Sequence, residues 1–180
     1  MTNYVSSTKY LYPGVYLKES KMTKELTQEE KATNHHTREH IAQVQDLVLE
    51  VVTNLLHRGQ QHDASKLEHP EVEGFTQYTP RLAELTYGSP EYKETLAAMQ
   101  DTTLKHHYEH NRHHPEHFKM GVMDMNLIDL IEMICDWKAA TLRHKDGSIT
   151  KSLEINRERF DIREPLASIL ENTVRDLGWD

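Results

Sequence analysis

Between Thr37 and His57 apolar residues return at helical spacing: Ile41, Val44, Leu47, Val48, Val51, Val52, Leu55 and Leu56. A recurrence of three to four residues, sustained this long, fits one face of a helix and cannot alternate across a strand. Gly59 reads as the stop of that helix. Upstream, Thr27-Gln28-Glu29-Glu30 has capping-box spacing, so helical structure is expected to begin there. Ser89-Pro90 supplies a cap and a first-turn proline for a second helix. It carries Tyr92, Leu96, Met99 and Thr103 on one side and ends before His114-Pro115. A third helix is predicted from Met125 to Arg143, with a turn at Asp146-Gly147. Two shorter ones follow, over 150–160 and 164–177, the last stopping at Gly178. No alternating strand pattern occurs. The expected class is all-α, a compact single-domain helical bundle over 27–180, preceded by an irregular, tyrosine-rich arm over 1–26.

Composition narrows the function. The chain has 180 residues and a formal charge of −8, an acidic balance that argues against binding long nucleic acid. No apolar run reaches membrane-spanning length, and the N-terminus has no apolar signal core. The single cysteine, Cys135, fits a reducing compartment, so a cytoplasmic location is expected. Thirteen histidines are the unusual feature, twelve of them between His35 and His117.

Several of these histidines sit in patterns that suit a metal. His62-Asp63 pairs an imidazole with an anionic oxygen. His40 lies on the stripe of Val44, Leu47, Val51 and Leu55, where a buried imidazole needs a partner. That partner is either a backbone carbonyl or the same metal, with His36 as a rival ligand one turn earlier. Asp136 shares a helix stripe with Asp129, Glu132, Ala140 and Arg143. Spacing alone does not separate a solvated face from a carboxylate lining an internal site. The segment His106 to His117 holds six imidazoles in twelve residues, read either as part of a site or as a pH-sensitive loop. His35, His57, His69, His117 and His144 have no role that pattern assigns.

The order His40, His62-Asp63 and a helical Asp136 resembles the HD-domain phosphohydrolase superfamily. Glu39-His40-x-x-Gln43-Val44 and His62-Asp63-Ala64-Ser65 are similar to its 5′-deoxynucleotidase branch. Two departures stand out: His40 and His62 are closer together than is usual there, and Lys66 replaces a glutamate. Over about 35–175 the chain more closely resembles an uncharacterised family of phage and bacterial HD-like proteins. The shared motifs are His62 to Lys66, Tyr87 to Ser89, His107, Asn111, His113, His114, and Glu132 to Trp137. The resemblance implies an HD-type helical domain, membership of the His-rich segment and Glu132 in the site, and a homodimer. If the source is a phage, the location is the host cytoplasm.

Together these readings predict a divalent transition metal (Mn, Fe, Co, Ni or Zn, with Mg a further candidate), one or two per chain, on His40, His62, Asp63 and Asp136. The expected reaction is hydrolysis of a small phosphorylated metabolite, foremost a nucleotide, by metal-activated water. Lys66 is the expected phosphate contact and Arg112 a bidentate clamp. His107, His113 or His114 would protonate the leaving oxygen or hold a second metal, and Glu132 would position water or orient an imidazole. Trp137, Tyr87 and Phe75 are candidates to stack on a base, each with an ordinary core role as the alternative. Two rival functions remain open: a di-iron HD-type oxygenase, and a non-enzymatic protein that sequesters a nucleotide.

Overall fold

The structure, a computed structural model, describes residues 25–86, 88–143 and 147–179. The expected arm over 1–26 lies almost wholly outside them, as do Tyr87, His144 and Asp146. The described residues are all-α, with no strand among them. Seven α-helices follow in order: α1 Gln28–Gln61, α2 Glu71–Glu84, α3 Pro90–Met99, α4 Lys105–His110, α5 Leu127–Thr141, α6 Ile149–Arg159 and α7 Leu166–Asp176. No helix among the described residues is long and apolar enough to cross a membrane. The chain divides at Gln45/Asp46 into two units, and everything below, α1's first half apart, concerns the second.

Local chemistry explains most of the boundaries. At the start of α1 the Thr27 hydroxyl accepts from the Glu30 amide at 3.2 Å, and the Thr27 amide donates to Glu30 Oε2 at 2.7 Å. That is the reciprocal capping box the sequence spells. Ser89 caps α3 by accepting from the Tyr92 amide at 3.1 Å, with Pro90 in its first turn. Gly59 does not stop α1, which continues through it to Gln61. The stripe of α1 is also not core-facing: the helix has no buried residue, and Ile41, Val44, Leu47, Val48, Val51, Val52 and Leu56 are all exposed.

The helix α2 has no counterpart in the sequence reading. Pro70, Gly74 and Pro80 punctuate it and mask its period. Gly74 is needed for contact. A Cβ there would lie 1.8 Å from Thr103 Oγ1, so α2 can approach the segment after α3 only because that atom is missing. This segment, Gln100–Leu104, is a π-helical turn joining α3 to α4. Thr95, Met99, Thr103, His107 and Asn111 follow one another at four-residue intervals and are all buried. In a strict α-helix such a row drifts by about 40° per step. The wider π turn takes up part of that drift and keeps His107 on the side of Thr95.

The apolar core forms where α5 meets α6 and α7: Met133, Ile134 and Trp137 pack with Ile149, Leu153, Ile162, Ala167, Leu170 and Val174. Trp137 stacks on Phe160, ring centroids 6.1 Å apart, which is the core role rather than a base platform. Leu127 and Ile131, by contrast, are exposed. The other buried side of α5 is polar. Asp129 is fully inaccessible and Glu132 is 8% exposed, so the acidic stripe is no solvated face. We expect Gly74→Ala to lower unfolding free energy by about 1–3 kcal/mol through overpacking against Thr103. Equilibrium denaturation with urea measures this, and an unchanged midpoint would show that the two segments separate at no cost.

Candidate metal centre

Chain geometry at the end of α1 sets the site. Asp63 adopts the left-handed conformation, φ 57° and ψ 13°, which aspartate tolerates better than most residues. It terminates the helix and turns its carboxylate inward. Oδ1 of Asp63 lies 3.3 Å from His107 Nε2 and 3.5 Å from His113 Nε2. Oδ2 receives Lys66 Nζ at 2.6 Å and is 3.5 Å from His62 Nε2. On the far side, His62 Nε2 is 3.6 Å from Asp136 Oδ1. His114 joins through its Nε2, 2.9 Å from that of His107.

Two buried glutamates orient these rings. Glu132 Oε1 is 2.9 Å from His62 Nδ1 and 3.1 Å from His113 Nδ1. Glu71 is fully buried at the first position of α2. Its two oxygens lie 2.8 Å from the Nδ1 atoms of His106 and His107. A neutral ring donating from Nδ1 to a carboxylate presents its lone pair at Nε2. His62, His107 and His113 therefore turn their Nε2 atoms toward Asp63. Asn111 fixes the His107 turn further, donating to Ser65 Oγ at 2.8 Å and to the His107 carbonyl at 2.9 Å.

A second tier holds Glu132. Arg58, near the end of α1, reaches Glu132 Oε2 at 2.5 Å and donates to Asp129 Oδ1 at 2.9 Å. Asp129 also takes a bidentate pair from Arg112, at 3.1 and 2.9 Å. Its Oδ2 accepts from the Asn126 amide at 3.1 Å, closing the capping box of α5.

The electrostatics follow from burial and these partners. Hydrogen bonds to Asp136 and Glu132 outweigh burial at His62 and raise its pKa to about 10. Burial pushes Glu132 up, but His113, His62 and Arg58 prevail and hold it down at about 2. Burial also opposes the Asp63 carboxylate, yet His107 and Lys66 keep it well below the usual range. His114 is depressed to about 2 by burial, then by its neighbours His113 and His107. It stays neutral and is suited to be a ligand rather than an acid.

The donors fall into three overlapping groups able to hold a cation: Asp63 with His107, His113 and His114; His62 with His113 and Glu132; and His62 with Asp63 and Asp136. Asp63 Oδ1 and His113 Nε2 are buried without a hydrogen-bond partner among the described residues. An anionic oxygen and an imidazole lone pair facing each other repel unless a proton or a cation is shared between them. The donor set, imidazole and carboxylate, fits a divalent transition ion.

The structure thus gathers His62, Asp63, Lys66, His107, His113, His114, Glu132 and Asp136. His40, in the first unit, is exposed on α1, and the stripe expected to bury it is itself exposed. His36 is likewise exposed, 3.3 Å from Glu39. Arg112 commits its Nε and Nη2 to Asp129. Phe75 lies beside Lys66 and edge-on to His107, at 4.8 and 5.5 Å. Sequence reasoning missed Glu71 and Arg58. Neither carried a signal, because Glu71 opens an unread helix and Arg58 sits on an ordinary helical turn.

Replacing Glu71 by alanine frees the His107 ring, and we expect metal affinity to fall about 10- to 100-fold with helicity kept. Competition against a calibrated chelator reads this; unchanged affinity would reduce Glu71 to a packing residue. The pH dependence has a defined sign. His62 contributes stability in full below its unfolded value of about 6.5 and loses it as pH rises toward 10. Glu132 contributes above about 4.5 and loses it as pH falls toward 2. A bound cation displaces the His62 proton. The rise in Tm on adding Zn²⁺ should therefore grow from pH 6 to pH 8, and a flat increment in thermal melts would contradict this.

No curated protein and no solved structure matches the chain. Residues 29–176 match the DUF5662 family, a family of unknown function. With most of its length covered, the chain belongs to that family.

Proposed function

We propose that this protein is a metal-dependent phosphohydrolase acting on a small phosphorylated metabolite, in the first place a nucleotide. The observation that carries the reading is the convergence of three Nε2 atoms on the Asp63 carboxylate beside Asp136. A divalent ion held there would supply a Lewis acid for a phosphoryl oxygen and activate water as the nucleophile.

The chain's own residues have separable parts in this reading. His62, Asp63 and Asp136 hold the ion, with His107, His113 and His114 as donors for the same ion or a second one. Glu132 and Glu71 fix the rings by Nδ1, so the donors need no reorganisation when substrate arrives. Lys66 serves the phosphate. Its ammonium has three donors, so the bond to Asp63 is compatible with another to a phosphoryl oxygen. Phase-wise, positioning and charge neutralisation make up most of what phosphoryl transfer requires.

A second reading draws on the imidazole-rich group around Asp63: a pair of irons used for oxygen chemistry. Metal content separates the two. Purified protein loaded with Mn²⁺ should release phosphate or pyrophosphate from at least one member of a mixed nucleotide panel. Asp63→Ala should abolish release and stoichiometric metal together. Lys66→Ala should slow turnover by about 10- to 100-fold, the worth of a charged hydrogen bond, with metal retained. Full metal occupancy with no release from any nucleotide would overturn the hydrolase. Two irons per chain in that case would favour the oxygenase, and an unchanged nucleotide retained on the protein would favour sequestration.

A further inference from the structure

The metal centre leaves one large feature unused. Between Asp46 and Gln61, α1 presents Leu47, Val48, Val51, Val52 and Leu56 at 42 to 63% exposure, with Leu55 half-buried between them. Singly, exposed aliphatic residues need no explanation; contiguous on one helix face, they mark a contact surface. Their order points to the partner. They form two rows at four-residue steps, Leu47-Val51-Leu55 and Val48-Val52-Leu56. Rows of this kind are the ridges that interdigitate in the commonest helix–helix packing.

The two rows are also their own complement. Within Leu47–Leu56, reversal about a point between Val51 and Val52 maps the pattern onto itself: Leu47 meets Leu56, Val48 meets Leu55, and Val51 meets Val52. A two-fold contact demands such self-complementarity, because the same patch serves both partners. The acidic residues of this stretch, Asp46 and Glu50, fall on the opposite face at 100° per residue, so pairing brings no like charges together. Six aliphatic side chains provide a few hundred Å² per copy, a large share of the roughly 800 Å² per partner in a standard interface.

We propose that the Leu47–Leu56 face of α1 is the contact through which two copies of this chain associate, with the two α1 helices antiparallel across a two-fold axis near Val51 and Val52. The proposal is independent of the reaction assigned to the metal centre.

Sedimentation velocity on the full chain at micromolar concentration should show a dimer. Val48→Glu combined with Val52→Glu places carboxylates in both rows and should weaken association by about 100-fold or more. Helical signal and metal stoichiometry should be unchanged in that variant. In a Cys135→Ser background, Val52→Cys should give a disulfide-linked dimer under mild oxidation, whereas Glu50→Cys should not. This pair keeps the test valid if the double glutamate variant fails to fold. A monomeric wild-type chain overturns the proposal, as does a dimer that survives both glutamates or that links equally through position 50.

Discussion

The polar centre depends on two buried carboxylates, Glu71 and Glu132, each holding two imidazoles by Nδ1. A buried carboxylate without partners would protonate or pull the fold apart. Here each is matched to rings that in turn need an acceptor. The consequence is directional. Once Nδ1 is committed outward, the Nε2 atoms of His62, His107 and His113 all face Asp63. The glutamates are therefore what converts a collection of histidines into one centre.

The supports of these glutamates come from distant parts of the sequence. Glu132 is held by Arg58, seventy-four positions earlier in the chain, and Arg58 is shared with Asp129. Asp129 belongs to the capping box of α5 and takes Nε and Nη2 of Arg112. One aspartate thus starts the helix that carries Glu132 and Asp136 and anchors the loop that delivers His113 and His114. Charge, cap and loop position are coupled, so a change at Asp129 would reach the metal donors without touching them. The π turn plays the matching part on the other side, setting His107 against Glu71.

Much of this was legible in the sequence, and the gaps have physical causes. The Thr27 capping box, the Ser89-Pro90 start and the His62-Asp63 pair are local, so short-range rules find them. Helix α2 was invisible because Gly74 and Pro80 argue against a helix that tertiary contact with Thr103 nonetheless favours. His40 was misplaced by a sound rule used outside its range: an apolar stripe marks a buried face, but it does not say which molecule buries it. The acidic stripe of α5 was undecidable for a related reason. Periodicity shows that Asp129, Glu132 and Asp136 share a face; only the arginines and histidines brought to that face make it an interior one. The grouping of His107, His113 and His114 with the other donors, which spacing alone did not give, was implied by the resemblance to the uncharacterised HD-like family.

Charge balance is the last constraint on the centre. Asp63, Glu71, Asp129, Glu132 and Asp136 bring five carboxylates into one connected network, against the fixed cations Arg58, Arg112 and Lys66. The difference is two negative charges in a region where burial makes unbalanced charge costly. Protons on the imidazoles can supply positive charge, and His62, with its pKa raised to about 10, is the ring placed to carry one. His114, held neutral by burial, is not. A single divalent cation would balance the network without asking any ring to protonate, and would give Asp63 Oδ1 and His113 Nε2 a partner. Proton and cation would thus compete for the same lone pairs. The glutamates that fix the rings also set the terms of that competition, because they hold the Nδ1 protons in place while the Nε2 positions exchange.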